Sequence, residues 1–288
     1  MYMNYALVLM ATVLLAVDFV LQNQYQRAEG ADLVSGLTFN ALNGLLTALV
    51  FWALSGFSMP FSPFSLLLAL GMSLCLTAYS VLGFRILKTG NMSTYTLFLM
   101  SGGMLLPYLF GVLFLDEPLT VWRIVGVVLI LAAVLLTNRA RLERSVTFVL
   151  LCVAVFVLNG FVSILSKCHQ IHTVYETVDS MAFVMYSGLG KFFFSAVALA
   201  CRRGGRKPAF AAKSTPWLVL GSALIGGVSY TFQLIGAKAL PATVLYPLVT
   251  GGCIVFSALA EKLYFKAKLS PFQWASIALC FLGTVFFL

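Results

Sequence analysis

Residues Thr94–Leu115, TYTLFLMSGGMLLPYLFGVLFL, lead into the turn Asp116-Glu117-Pro118-Leu119-Thr120 and then into Val121–Leu136, VWRIVGVVLILAAVLL. Two apolar helices joined by a short acidic turn is the direct reading, because each run approaches the roughly 20 residues that cross a bilayer core. The same design returns in Thr243–Leu288, where the turn is Lys266-Ala267-Lys268-Leu269-Ser270. At a single offset of 150 positions Gly71 meets Gly221, Lys88 meets Lys238, Gly102 meets Gly252 and Leu119 meets Leu269. A repeat of this length is a duplicated unit, and in membrane chains duplicated bundles point to transporters.

Composition sets the class. Of the 288 residues 61% are hydrophobic and only 9% charged, against about a quarter charged in soluble domains. An integral membrane protein is therefore expected, with the lipid bilayer as its first partner. A net charge of +9 would suggest nucleic acid in a soluble chain. Here most bases fall in short loops between apolar runs, where they orient the chain in the membrane, so no nucleic-acid partner is expected. The six cysteines are scattered singly, with no CxxC and no disulfide framework. The first segment lacks a basic leader and a cleavage site and reads as a retained helix.

Measured by length, ten spans are expected: Asn4–Gln24, Val34–Leu54, Phe64–Leu87, Ser93–Leu115, Val121–Thr137, Val146–Lys167, Thr177–Cys201, Thr215–Ile235, Ala242–Leu263 and Pro271–Leu288. The halves are residues 1–138 and 146–288, joined by the linker 139–145. The second helix aligns on the seventh at an offset of 144, through Val34/Val178, Phe39/Phe183, Gly44/Gly188 and Leu45/Leu189. The first aligns on the sixth at about 141, which places Asp18 over Asn159. Five helices per half is odd, so the copies insert in opposite senses and form an inverted repeat with its cavity near the midplane. The expected fold is thus an all-α integral membrane protein of ten transmembrane helices in two inverted five-helix repeats. Fourteen Lys and Arg follow odd-numbered helices, three (Arg123, Lys167 and Lys238) lie on the other side, and Lys191 is within a helix. That bias places both termini outside.

Ionisable groups at membrane depth are costly and point to function. Asp18 sits deep in the first helix, and Gln22 and Tyr25 continue its stripe. A desolvated carboxylate there suits proton exchange against a polar or cationic cargo, or else a hydrogen bond to a neighbouring helix. Lys191 lies near the middle of the seventh helix, and the repeat sets it over Thr47, on the face of Asn40 and Asn43. It serves cargo or forms a salt bridge, to Asp18 or Glu261. A carboxylate and an ammonium across one cavity suit a zwitterion. A weaker set, Tyr79, Tyr95, Asn159, Tyr230, Gln233 and Tyr246, is expected to line the pocket.

Other features read as architecture. Gly102-Gly103 and Gly251-Gly252, at matched places on the fourth and ninth helices, favour a tight crossing of the two repeats, and Pro107 and Pro247 interrupt the same two helices. Lys88 and Lys238 end helices as caps or anchors. His169 and His172 read as a loop surface pair without a third metal ligand. No Walker A or GxSxG sequence is present, so neither an enzyme nor a cofactor is expected. The different-class alternative is an intramembrane enzyme or lipid-handling scaffold.

With the repeat and the Glu117-Pro118-Leu119-Thr120 turn in view, the chain resembles the drug/metabolite transporter superfamily, in its ten-helix EamA-like branch. Glu117, Leu119, Thr120 and Gly126 match the closing pattern of the first half, and Leu269, Ser270 and Gly283 that of the second, where Ala267 replaces the turn Glu. Asp18 also looks like the first-helix carboxylate of the small multidrug resistance branch, which couples protons to cationic drugs. The resemblance implies alternating access and peripheral fifth and tenth helices. It also implies cytoplasmic termini, against the Lys/Arg count. The expectation is a multi-pass protein of a bacterial inner (cell) membrane. It is a secondary transporter of a small polar metabolite, amino-acid-like by preference, with protons as a coupling partner; the alternative within the class is an exporter of organic cations or quaternary amines.

Overall fold

The computed structural model describes residues 2–30, 32–87, 92–138, 146–201, 213–264, 266 and 270–287, and ten helices lie among these described residues. In order they are α1 (Tyr2–Glu29), α2 (Leu33–Leu54), α3 (Pro63–Leu87), α4 (Met92–Phe114), α5 (Val121–Asn138), α6 (Val146–Ile171), α7 (Ser180–Ala200), α8 (Thr215–Ala239), α9 (Ala242–Tyr264) and α10 (Pro271–Val285). No strand occurs among the described residues. Eight of the helices, all but α5 and α10, are long and apolar enough to cross a membrane. The chain is thus an all-helical, multi-pass membrane protein by length and composition. The shorter apolar pieces Val121–Leu136 and Pro271–Val285 fall below the length expected for a full span.

Local chemistry sets the ends. Asp32 accepts from Ser35 N to cap α2, and Asp179 accepts from Met181 N and Ala182 N to cap α7. Ser270 and Gln273 close α10 with a reciprocal capping box. Asp116 takes a positive φ of 51° directly after α4, which turns the chain into the Glu-Pro-Leu-Thr segment. The linker 139–145, the helix-ending Lys88 and the Ala267–Leu269 part of the second turn lie outside the described residues.

The two halves do not pack as separate bodies. The largest helix contacts all cross between them: α2 on α7, α1 on α8, α4 and α3 on α6, and α5 on α10. α2 and α7 cross antiparallel and meet backbone to backbone. A Cβ on Gly44 would lie 2.7 Å from the Gly188 carbonyl oxygen, and a Cβ on Gly188 would lie 2.7 Å from that of Gly44. Small residues permit this approach, as in membrane helix pairs generally. The crossing falls near the middle of both helices.

The paired glycines of α4 and α9 lie at close contacts between the two halves. Gly102 lies against the Phe156 backbone of α6 and Gly103 against Asn159. Gly252 faces Thr12 of α1, and Gly251 faces Thr284 and Ile130. They therefore seat α4 on α6 and α9 on α1 and α10. Gly44 and Gly188 add a further close approach of the halves, between α2 and α7.

Candidate functional site

Four helices bring a polar chain together at the centre of this apolar bundle. Lys191 Nζ on α7 donates to Asn43 Oδ1 on α2 at 2.8 Å. Asn43 Nδ2 donates to Ser222 Oγ on α8 at 3.2 Å, and Ser222 Oγ donates to Asp18 Oδ1 on α1. Gln22 Nε2, one turn further along α1, donates to Asp18 Oδ2 at 2.8 Å. Asp18, Asn43 and Ser222 are buried. The Lys191 ammonium also stands 5.9 Å from the Phe39 ring centroid, at the outer reach of a cation–π contact.

The carboxylate has a built cradle. A Cβ on Gly226 would lie 2.9 Å from Asp18 Oδ2, so α8 approaches α1 at a residue without a side chain. Asn43 works as an adapter: its carbonyl meets a donor-only ammonium and its amide meets a hydroxyl that must itself point at the carboxylate. Lys191 and Asp18, for which a salt bridge is one of two expected roles, are thus joined through Asn43 and Ser222. The Glu261 side chain, the other partner considered for Lys191, lies outside the described residues.

Asp18, Gln22, Asn43 and Lys191 are brought together as their sequence pattern suggested. Asn40 is half-buried, one turn before Asn43 on α2. The remaining expected lining residues make contacts outside the central chain. Asn159 Nδ2 donates to Leu99 O at 2.7 Å and ties α6 to α4. Tyr79 and Tyr95 pack against the apolar cluster of Ile86, Phe148, Cys152 and Val155. Tyr246 donates to Ser163 O at 2.5 Å, Tyr230 shares a 2.9 Å bond with Ser166 Oγ, and Gln233 Nε2 donates to Ser229 Oγ at 3.3 Å. The two tyrosine bonds join α9 and α8 to α6 between the central chain and one end of the bundle, whereas the Gln233 bond lies within α8.

Some charged residues carry more than their sequence suggested. Lys167, counted among loop bases, is buried near the end of α6, where Nζ donates to Ala237 O and Leu240 O, each at 2.7 Å. Glu117 accepts from Ala242 N at 2.6 Å, Thr243 N at 2.7 Å and Thr243 Oγ1 at 2.7 Å, and so caps α9 from the α4–α5 turn. Arg123 Nη1 donates to Thr243 Oγ1 at 3.2 Å. Buried Glu29 accepts from Thr215 Oγ1 at the start of α8.

His169 is no surface residue. It is buried in the last turn of α6, bonded to Ser65 Oγ at 2.9 Å and stacked on Phe183 at 3.8 Å. His172 stacks on Phe64 at 4.2 Å. The sequence signal for Ser222 and Lys167 was weak, because their partners lie on other helices and short side-chain spacing cannot reveal them.

No protein-family model matches the chain, and no curated protein matches it. Solved structures do: one crystal structure, described simply as that of a protein, aligns with a TM-score of 0.74 and 19% sequence identity, over 98% of this chain and 96% of the other. At that identity the likeness shows a shared fold over the whole length and nothing of activity.

Proposed function

We propose that the chain is an alternating-access secondary transporter of a small polar metabolite, built on two inverted five-helix repeats of the drug/metabolite transporter kind. The central chain Lys191–Asn43–Ser222–Asp18–Gln22 carries this reading. It gathers a cation, a carboxylate and two amides at mid-depth from four helices of both halves, where each polar group is costly unless it has work to do.

The packing supports the repeat. Exchanging each helix for the one five later turns α1 on α8 into α6 on α3, and α4 on α6 into α9 on α1, which are contacts the bundle makes. Thr12 faces Gly252 as Phe156 faces Gly102, and Leu21 faces Gly221 as Leu165 faces Gly71. These pairs favour an offset of 144 for α1 on α6, one turn from the 141 expected. Val162 then stands in the place of Asp18, so the carboxylate is single. α5 and α10 also cross as mutual images: Gly126 lies on the Gly283 carbonyl oxygen, and Ser276 Oγ donates to Ala133 O at 2.7 Å. In this reading both short helices span at the periphery and both termini lie outside.

Cargo with an ammonium and a carboxylate suits the site best, the first at Asp18 and the second at Lys191. The test is a thermal-stability screen of detergent-solubilised protein against amino acids, organic cations, nucleosides and sugar phosphates, at pH 6 and pH 8. A ligand of the folded state raises the unfolding temperature. A zwitterion whose effect is lost in both Asp18→Asn and Lys191→Met supports the reading. A cation whose effect needs only Asp18 moves it to organic-cation export. Cargo uptake driven by a pH gradient and abolished in Asp18→Asn, with exchange retained, assigns proton coupling to Asp18. Turnover of a lipid by the purified protein overturns transport in favour of an enzyme.

A further inference from the structure

We propose that Lys167 is a positioning residue of the transport cycle, a latch that holds shut the end of the cargo path formed by α6, the α8–α9 junction and the α4–α5 turn. The inference rests on the transport reading above. It begins with the junction itself. α8 ends at Ala239 and α9 begins at Ala242, so only Leu240 and Pro241 join them, and the two helices hardly touch otherwise. Their mutual angle is therefore set by side chains from elsewhere.

Those side chains are charged and come from both halves. Lys167 grips the α8 side through Ala237 O and Leu240 O, filling carbonyls that a helix C-terminus leaves without intrahelical partners. Glu117 grips the α9 side through Ala242 N and Thr243 N, where an anion complements the helix dipole. Beneath the latch, Tyr230 bonds to Ser166 and Tyr246 to Ser163, one and four residues before Lys167 on α6. Along α8 the latch stands about 22 Å from Ser222 at the helical rise per residue. Releasing Lys167 from α8 would part α6 from α8 along the line that leads to the central polar chain.

The latch is also one-sided. With the register of 144 residues, Lys167 corresponds to Asn23, and the turn residue matching Glu117 is Ala267. Neither replacement carries a charge. The opposite end of the bundle therefore closes by different means, and the two openings of an alternating-access cycle differ in what holds them.

The experiment places a cysteine at buried Ser166, next to Lys167 on α6, in protein whose six native cysteines are replaced by serine. The protein is reconstituted in nanodiscs and labelled with a membrane-impermeant maleimide. A second cysteine, at buried Ser276 of α10, reports general loosening. Lys167→Met is expected to raise the labelling rate at position 166 at least about tenfold, with position 276 unchanged. Lys167→Arg is expected to restore slow labelling, because a guanidinium still donates to two carbonyls. Equal labelling with Lys and Met at 167, or a parallel rise at both positions, overturns the latch. Labelling needs no cargo, so its failure is distinct from a cargo screen in which nothing binds.

Discussion

Gly226 has no room for even a methyl group on the side facing Asp18. In Gly226→Ala the new Cβ would meet Oδ2 at 2.9 Å and Cγ at 3.2 Å, so the carboxylate oxygen that accepts from Gln22 must shift. We expect a loss of about 1–3 kcal/mol, the usual scale of overpacking, read as a lowered unfolding temperature. Gly221→Ala is the control: its Cβ would meet only the end of Leu21 at 3.3 Å, and the stability should stay near that of the parent. Asn43→Ala should cost about 1–3 kcal/mol, since it strips the acceptor from Lys191 and the donor from Ser222. If Asn43 joins the two charges as the hydrogen bonds indicate, Asp18→Asn and Lys191→Met show a coupling of about 0.5–3 kcal/mol in a double-mutant cycle. Strict additivity would mean that the ends of the chain act independently.

At the scale of elements, Glu117 should matter to α9 more than to the turn that carries it. Removing its carboxylate in Glu117→Ala is expected to cost about 0.5–2 kcal/mol, as for other lost N-caps. Hydrogen exchange should quicken in the first turn of α9 and stay unchanged in α5. A change confined to α5 would remove Glu117 from the capping role. Helices were the part most legible in sequence, because apolar length alone marks a span. The ends were less so: α1 and α6 each run about one turn beyond the apolar stretch that marks them. There Tyr25, Glu29 and His169 are buried by neighbours, although their types suggest an interface. Asp18, Asn43 and Lys191 announced themselves by being polar in apolar runs. Ser222 and Lys167 did not, since a serine in a helix and a lysine at its end are both ordinary until the partner helix is known. Residue type does not decide the tyrosines for a related reason: an aromatic ring with one hydroxyl fits a pocket wall and a packed helix seam equally well.

For the whole molecule, the α2–α7 crossing holds the two halves at their shared centre. Gly44→Ala and Gly188→Ala each force a Cβ onto the backbone of the opposite helix. Each should lower stability by on the order of 1–3 kcal/mol. The double variant should cost well under the sum, because one separation of the helices relieves both clashes. Full additivity would argue against a reciprocal contact. The crossing has a mechanical consequence as well. No side chains interlock between Gly44 and Gly188, and Lys191 ties to Asn43 beside them. If the helices turned over one another, the crossing would therefore act as a fulcrum whose own atoms barely shift. Each arm, from the crossing to a helix end, is about 15 Å long at the helical rise. A rotation of about 15° would then carry the ends sideways by about 4 Å, roughly the width of a side chain, while the point between the two glycines stays still.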